Sequence, residues 1–90
     1  MRDLVIRAFK DKGFSFVYAE KVEEEIEYIF EYSSKEDDKW KYIVSFYTPD
    51  NEMNVVKEHK YSVKPIYYTV FDGVLENIDD LNVVKKLVLL

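Results

Sequence analysis

Two runs decide the fold: Glu24-Glu25-Ile26-Glu27-Tyr28-Ile29-Phe30-Glu31-Tyr32 and Lys39-Trp40-Lys41-Tyr42-Ile43-Val44-Ser45-Phe46-Tyr47-Thr48, separated by Ser34-Lys35-Glu36-Asp37-Asp38. In the first, Ile26, Tyr28, Phe30 and Tyr32 alternate with Glu25, Glu27, Ile29 and Glu31. In the second, Trp40, Tyr42, Val44 and Phe46 alternate with Lys41, Ile43, Ser45 and Tyr47. Period two on both arms predicts a β-hairpin whose polar break is the loop. A loop centred on Glu36 sets Tyr32 opposite Trp40, Phe30 opposite Tyr42, Tyr28 opposite Val44 and Ile26 opposite Phe46. One face becomes an aromatic wall, and Glu31 opposite Lys41 and Ile29 opposite Ile43 pair sensibly on the other. Val22, Ile26, Ile29 and Phe30 also fit a helical stripe; the persistence of the alternation through Tyr32 favours the strand.

Outward from the hairpin, Leu4, Val5, Ala8 and Phe9 form one side of a short amphipathic helix over residues 2–12, which Gly13 stops. Phe14, Phe16 and Tyr18 then alternate as an initial strand, and Glu20 to Glu24 form a charged connection. Thr48-Pro49-Asp50-Asn51 reads as a turn, followed by a strand over 52–58; a helix capped by Thr48 with Pro49 at its first position is the rival reading. Pro65 makes Tyr61–Phe71 an edge strand or two pieces with a kink, ended by Asp72-Gly73. From Asn77, a cap, the spacing of Leu81, Val84 and Val88 predicts a C-terminal helix.

These elements define an α+β fold over residues 1–90 as one small domain: an N-terminal helix, a four- to five-stranded, mostly antiparallel meander sheet and a C-terminal helix. The expected core is Leu4, Val5, Ala8, Phe9, Phe16, Ile26, Tyr28, Phe30, Trp40, Tyr42, Val44, Phe46, Leu81, Val84 and Val88. Eight Tyr, six Phe and one Trp in 90 residues supply the buried area that so short a chain needs.

Most chemistries are unsupported by the residues present. With no Cys and one His, neither a thiolate site nor an ordinary zinc site can be assembled. Glu36, Asp37 and Asp38 lack the alternating spacing of a calcium loop, so no metal is expected. His59, in a polar Glu-His-Lys turn, would have to meet Ser15, Ser33, Ser34, Ser45 or Ser62 by chance to act as a base. Gly13 and Gly73 are the only glycines, which leaves no phosphate loop or dinucleotide fingerprint. The expectation is a protein that is not an enzyme and uses no cofactor.

Charge is the remaining signal. Glu20 to Asp38 hold nine acids (Glu20, Glu23, Glu24, Glu25, Glu27, Glu31, Glu36, Asp37 and Asp38) against Lys21 and Lys35, a local −7, while the rest of the chain sums to +2. Such a surface repels phosphates and anionic lipids and draws a basic partner. The Lys39-Trp40-Lys41-Tyr42 alternation interleaves cations with rings, but it sets them on opposite faces, so direct nucleic-acid binding is disfavoured. The expectation is an acidic protein-interaction module with a site at Glu23, Glu24, Glu25, Glu27, Glu31 and Tyr47, whose partner is a basic protein. Small acidic proteins of viruses or mobile elements that block a nucleic-acid-binding site are one setting for it. The competing expectation is a homo-oligomeric structural protein, as simple as a homodimer. With no apolar run long enough for a membrane helix, the chain reads as soluble, intracellular and cytoplasmic, in the host cytoplasm if viral. Its codon-linked composition fits an AT-rich genome, and abundant Lys and Glu without Gln or Cys fit a thermophile.

Overall fold

Lys12-Gly13-Phe14 ends the first helix by a complete set of C-terminal bonds. The Gly13 N–H donates to the Lys10 carbonyl at 2.9 Å and the Phe14 N–H to the Phe9 carbonyl at 2.9 Å, which is the Schellman pattern. The pattern requires a left-handed residue, and Gly13 has φ 95°. Its companion hydrophobic contact is present, with the Phe9 and Phe14 rings edge to face at 5.1 Å. A stop signal in the sequence thus becomes a corner that returns the chain onto the core.

The computed structural model describes residues 1–33 and 39–88. Its elements are α1 (Arg2–Asp11), β1 (Ser15–Val22), β2 (Glu25–Ser33), β3 (Trp40–Thr48), β4 (Glu52–His59), β5 (Tyr67–Val74) and α2 (Ile78–Val88). The strands form one antiparallel sheet in the order β1-β2-β3-β4-β5, so the expected meander has five strands. Both stretches that could have been helix, 22–32 and 49–59, contain strand and turn instead. The turn after Thr48 is present, with a cis Thr48–Pro49 peptide and Asn51 at φ 58°. At α2, Asn77 caps as expected: its Oδ1 accepts from the Asp80 N–H at 3.1 Å, while Asp80 Oδ2 accepts from the Asn77 N–H at 3.3 Å.

The β2–β3 register differs from the expected one by two residues. Tyr32 pairs with Tyr42, Phe30 with Val44, Tyr28 with Phe46 and Ile26 with Thr48. A slip of two leaves every side chain on its own face, so alternation alone cannot detect it. The proposed loop, Ser34 to Asp38, lies outside the described residues. A second difference is at Gly73, which does not end β5 but pairs with Met53 inside it. A Cβ there would stand 3.2 Å from Cζ of Phe71, so the glycine makes room for that ring.

Val5, Ala8 and Phe9 of α1 and Leu81, Val84 and Val88 of α2 pack on Tyr28, Phe30, Val44, Phe46, Met53 and Val55. These sheet residues share one face, so both helices cover the same side. Phe14, Ile29, Met53, Val55 and Leu75 join the buried set beyond expectation. Leu4, Phe16 and Ile26 are exposed, and Trp40 and Tyr42 are half-buried. The reason is position: Phe16 lies on an edge strand next to a bulge, and Ile26 and Trp40 lie at opposite ends of the sheet. No described helix is long and apolar enough to cross a membrane.

Candidate functional site

With both helices on one side, the other face of the sheet is bare. Alternation delivers to it Glu25, Glu27, Ile29 and Glu31 from β2, Ile43 and Tyr47 from β3, and Glu52 and Val56 from β4. Ile29, although no helix covers it, is only 8% exposed. Neighbouring side chains close over it, and with the paired Ile43 and Val56 it forms an apolar row across the middle of the face.

The six residues singled out by the sequence do not form one continuous strip. Glu23 and Glu24 make the tight β1–β2 turn, with Glu23 in the left-handed region at φ 57°. Glu31 is neutralised: Lys41 Nζ lies 3.3 Å from its Oε1, a diagonal contact, since Glu31 faces Ile43 and Lys41 faces Ser33. A half-exposed pair of this kind contributes about 1 kcal/mol or less.

Glu27 is held by tyrosines. Tyr47, directly opposite on β3, donates to its Oε2 at 2.5 Å, and Tyr18 donates to its Oε1 at 3.4 Å. The shorter distance is that of a charge-assisted O–H···O⁻ bond. This bond, followed by burial, pushes the Tyr47 phenol from 10.0 up to about 12. A group whose folded-state pKa is raised contributes stability that is complete below pH 10 and is lost as pH rises through about 12. A spectrophotometric titration of the parent against Tyr47→Phe is expected to place the missing tyrosinate signal near pH 12. Its appearance at the ordinary tyrosine position would contradict the Tyr47–Glu27 bond.

Glu25 stands differently. It meets Asp50 from the β3–β4 turn and Glu52 from the start of β4, and ligand oxygens of the three lie within 4.8 Å of one another. Among the described residues no cation forms an ion pair with any of them. Burial by its neighbours, then the charges of Glu52 and Asp50, hold the Glu25 carboxyl above the usual carboxylate range. The associated stability is therefore present in acid and is lost as pH rises through the raised value; at neutral pH the trio is mutually repulsive. With no cation paired to them among the described residues, the three carboxylates are a concentrated negative charge.

Asp50 and Glu52 are the residues that sequence reasoning missed. The signal was the Pro49-Asp50-Asn51 turn, whose two arms bring Glu52 opposite Tyr47, itself opposite Glu27. Charge was followed along β2, whereas the grouping runs across strands. His59 is also placed differently from expectation, at the end of β4 with its ring against Trp40, and its Nδ1 accepts from the Tyr61 N–H at 3.3 Å. No family model, curated protein or solved structure matches the chain.

Proposed function

We propose that this protein is a non-catalytic interaction module that binds a basic protein through the acidic end of its bare sheet face. The observation that carries this reading is the cross-strand group Glu25, Asp50 and Glu52, which lies beside the Glu23-Glu24 turn without a described cation of its own. Glu27 and Glu31 are engaged internally, by Tyr47 and Lys41, and serve the frame more than the partner. The apolar row of Ile29, Ile43 and Val56 gives the same face a less polar centre for a partner to cover. Occupation of a nucleic-acid-binding surface on a basic protein, by a viral or mobile-element chain of this kind, is the setting that suits such a face.

Charge steering gives the reading its test. A basic protein recovered on the parent chain should associate more slowly as salt rises toward the range where screening shortens to ~8 Å. The variant Glu25→Gln with Asp50→Asn and Glu52→Gln keeps shape and removes three charges, so it should bind at least tenfold more weakly, about 1.4 kcal/mol or more, with its unfolding midpoint kept or raised. A partner retained equally by parent and variant would overturn the proposal.

A further inference from the structure

At the opposite end of the sheet the described residues include rings and cations. There Trp40 pairs with His59, Tyr42 with Lys57, and Lys57 with Tyr68, all on the helix-covered face. The Trp40 ring lies 5.0 Å from the His59 ring and 5.6 Å from that of Tyr68, with Lys57 Nζ 4.8 Å from the Trp40 ring centre. None of these four residues belongs to the core cluster or to the side chains packed on it, so core burial does not account for them. Tyr68 is 60% exposed and Tyr61 65%. Lys60 and Lys64 follow in the connection to β5. Exposed rings beside cations have the composition of a docking surface rather than of a solvated edge.

We propose that this aromatic and cationic corner is a docking surface whose occupant is the acidic end of a second copy of the chain. The proposal rests on the reading of that end as a surface that binds cationic groups and adds a second occupant for it. Charge complementarity carries it: the Lys57 ammonium and the Tyr68 hydroxyl are donors, and Glu25, Asp50 and Glu52 are acceptors that lack a described cation. Distance supports it as well. The two surfaces lie at opposite ends of strands eight to nine residues long, roughly 25 Å apart at ~3.3 Å per residue, about three screening lengths of ~8 Å, so the carboxylates of one end are largely screened from a neighbour that meets the other. The two surfaces differ, which makes the contact heterologous; it propagates head to tail instead of closing on a two-fold axis.

Light scattering on the full chain, over a range of protein concentration and from about 0.01 M to about 1 M salt, tests the proposal. The expected result is a mass that rises with concentration at low salt and returns to monomer at high salt. Glu25→Gln/Asp50→Asn/Glu52→Gln should be monomeric alone, and so should Lys57→Glu/Tyr68→Ser, whose changes lie outside the core. Mixed, each variant retains one intact surface, and the pair should stop at a dimer. A parent chain that stays monomeric at low salt, or a mixture that stays monomeric or forms long chains, overturns self-docking. A lysine-rich peptide and a single-stranded oligonucleotide separate the failures. If the parent is monomeric but the peptide binds it and not the carboxylate variant, the acidic end stands and its partner is foreign. If the peptide does not bind either, the proposed function falls too. An oligonucleotide bound to a monomeric parent and lost with Lys57→Glu/Tyr68→Ser would assign the corner to nucleic acid and overturn self-docking.

Discussion

Phe30→Ala is expected to lower the unfolding free energy by about 3–5 kcal/mol. The side chain is fully buried on the central part of β2, and its ring stacks on Phe9 of α1 at 6.0 Å and meets Phe16 of β1 edge to face at 5.5 Å. Across the next strand it pairs with Val44, which is also fully buried. Truncation therefore removes contacts to a helix and two strands at once and leaves a void that the paired strands cannot close. A chain of 90 residues has only about 5–13 kcal/mol in total at ~0.05–0.15 kcal/mol per residue, so this change alone takes a large share of it. Urea unfolding checks it: the midpoint should fall steeply with little change in slope, and an unchanged midpoint would contradict the assignment of this face to the core.

Leu75→Ala should cost about 2–5 kcal/mol, a large effect for a residue outside every regular element. Leu75 directly follows β5, is fully buried, and donates its N–H to the Asn51 carbonyl at 2.9 Å. It therefore seals the link between β5 and α2 against the β3–β4 turn while its side chain fills the core. Alanine keeps the backbone bond and deletes the packing, so the loss measures the cavity. A loss below about 1 kcal/mol in the same urea experiment would mean that the site collapses freely.

Leu75 also shows where the sequence stops being legible. Periodicity identifies Phe30, Val44 and Phe46 because each recurs at a fixed spacing within an element, whereas Leu75 has no period and is buried by the route the chain takes between elements. The same limit explains the hairpin register. Tyr28 and Phe46 are assigned to the right face by alternation, yet they pair with each other only after a two-residue shift. Met53 and Val55, absent from the expected core, lie in a strand interleaved with polar Asn54, Lys57 and Glu58, although their own face is covered by the helices. At the acidic site, the bare-face position of Glu25, Glu27 and Glu31 could be read from the chain. The pairing of Glu31 with Lys41 could be read as well, although it forms diagonally. The tyrosine-bound state of Glu27 and the crowding of Glu25 could not, because they depend on Tyr18, Tyr47, Asp50 and Glu52 reaching them from other positions in the fold.

Amide chemical-shift mapping with a defined lysine-rich peptide tests the binding claim most directly. Titrated into the labelled full chain at low salt, the peptide should shift the amides of Glu23 to Glu27 and of Asp50 to Asn54, with Ile43 and Val56 following as the apolar row is covered. The shifts should fade as salt is raised and be lost in Glu25→Gln/Asp50→Asn/Glu52→Gln. Shifts confined to the helices, or shifts of equal size in parent and variant, would contradict the account.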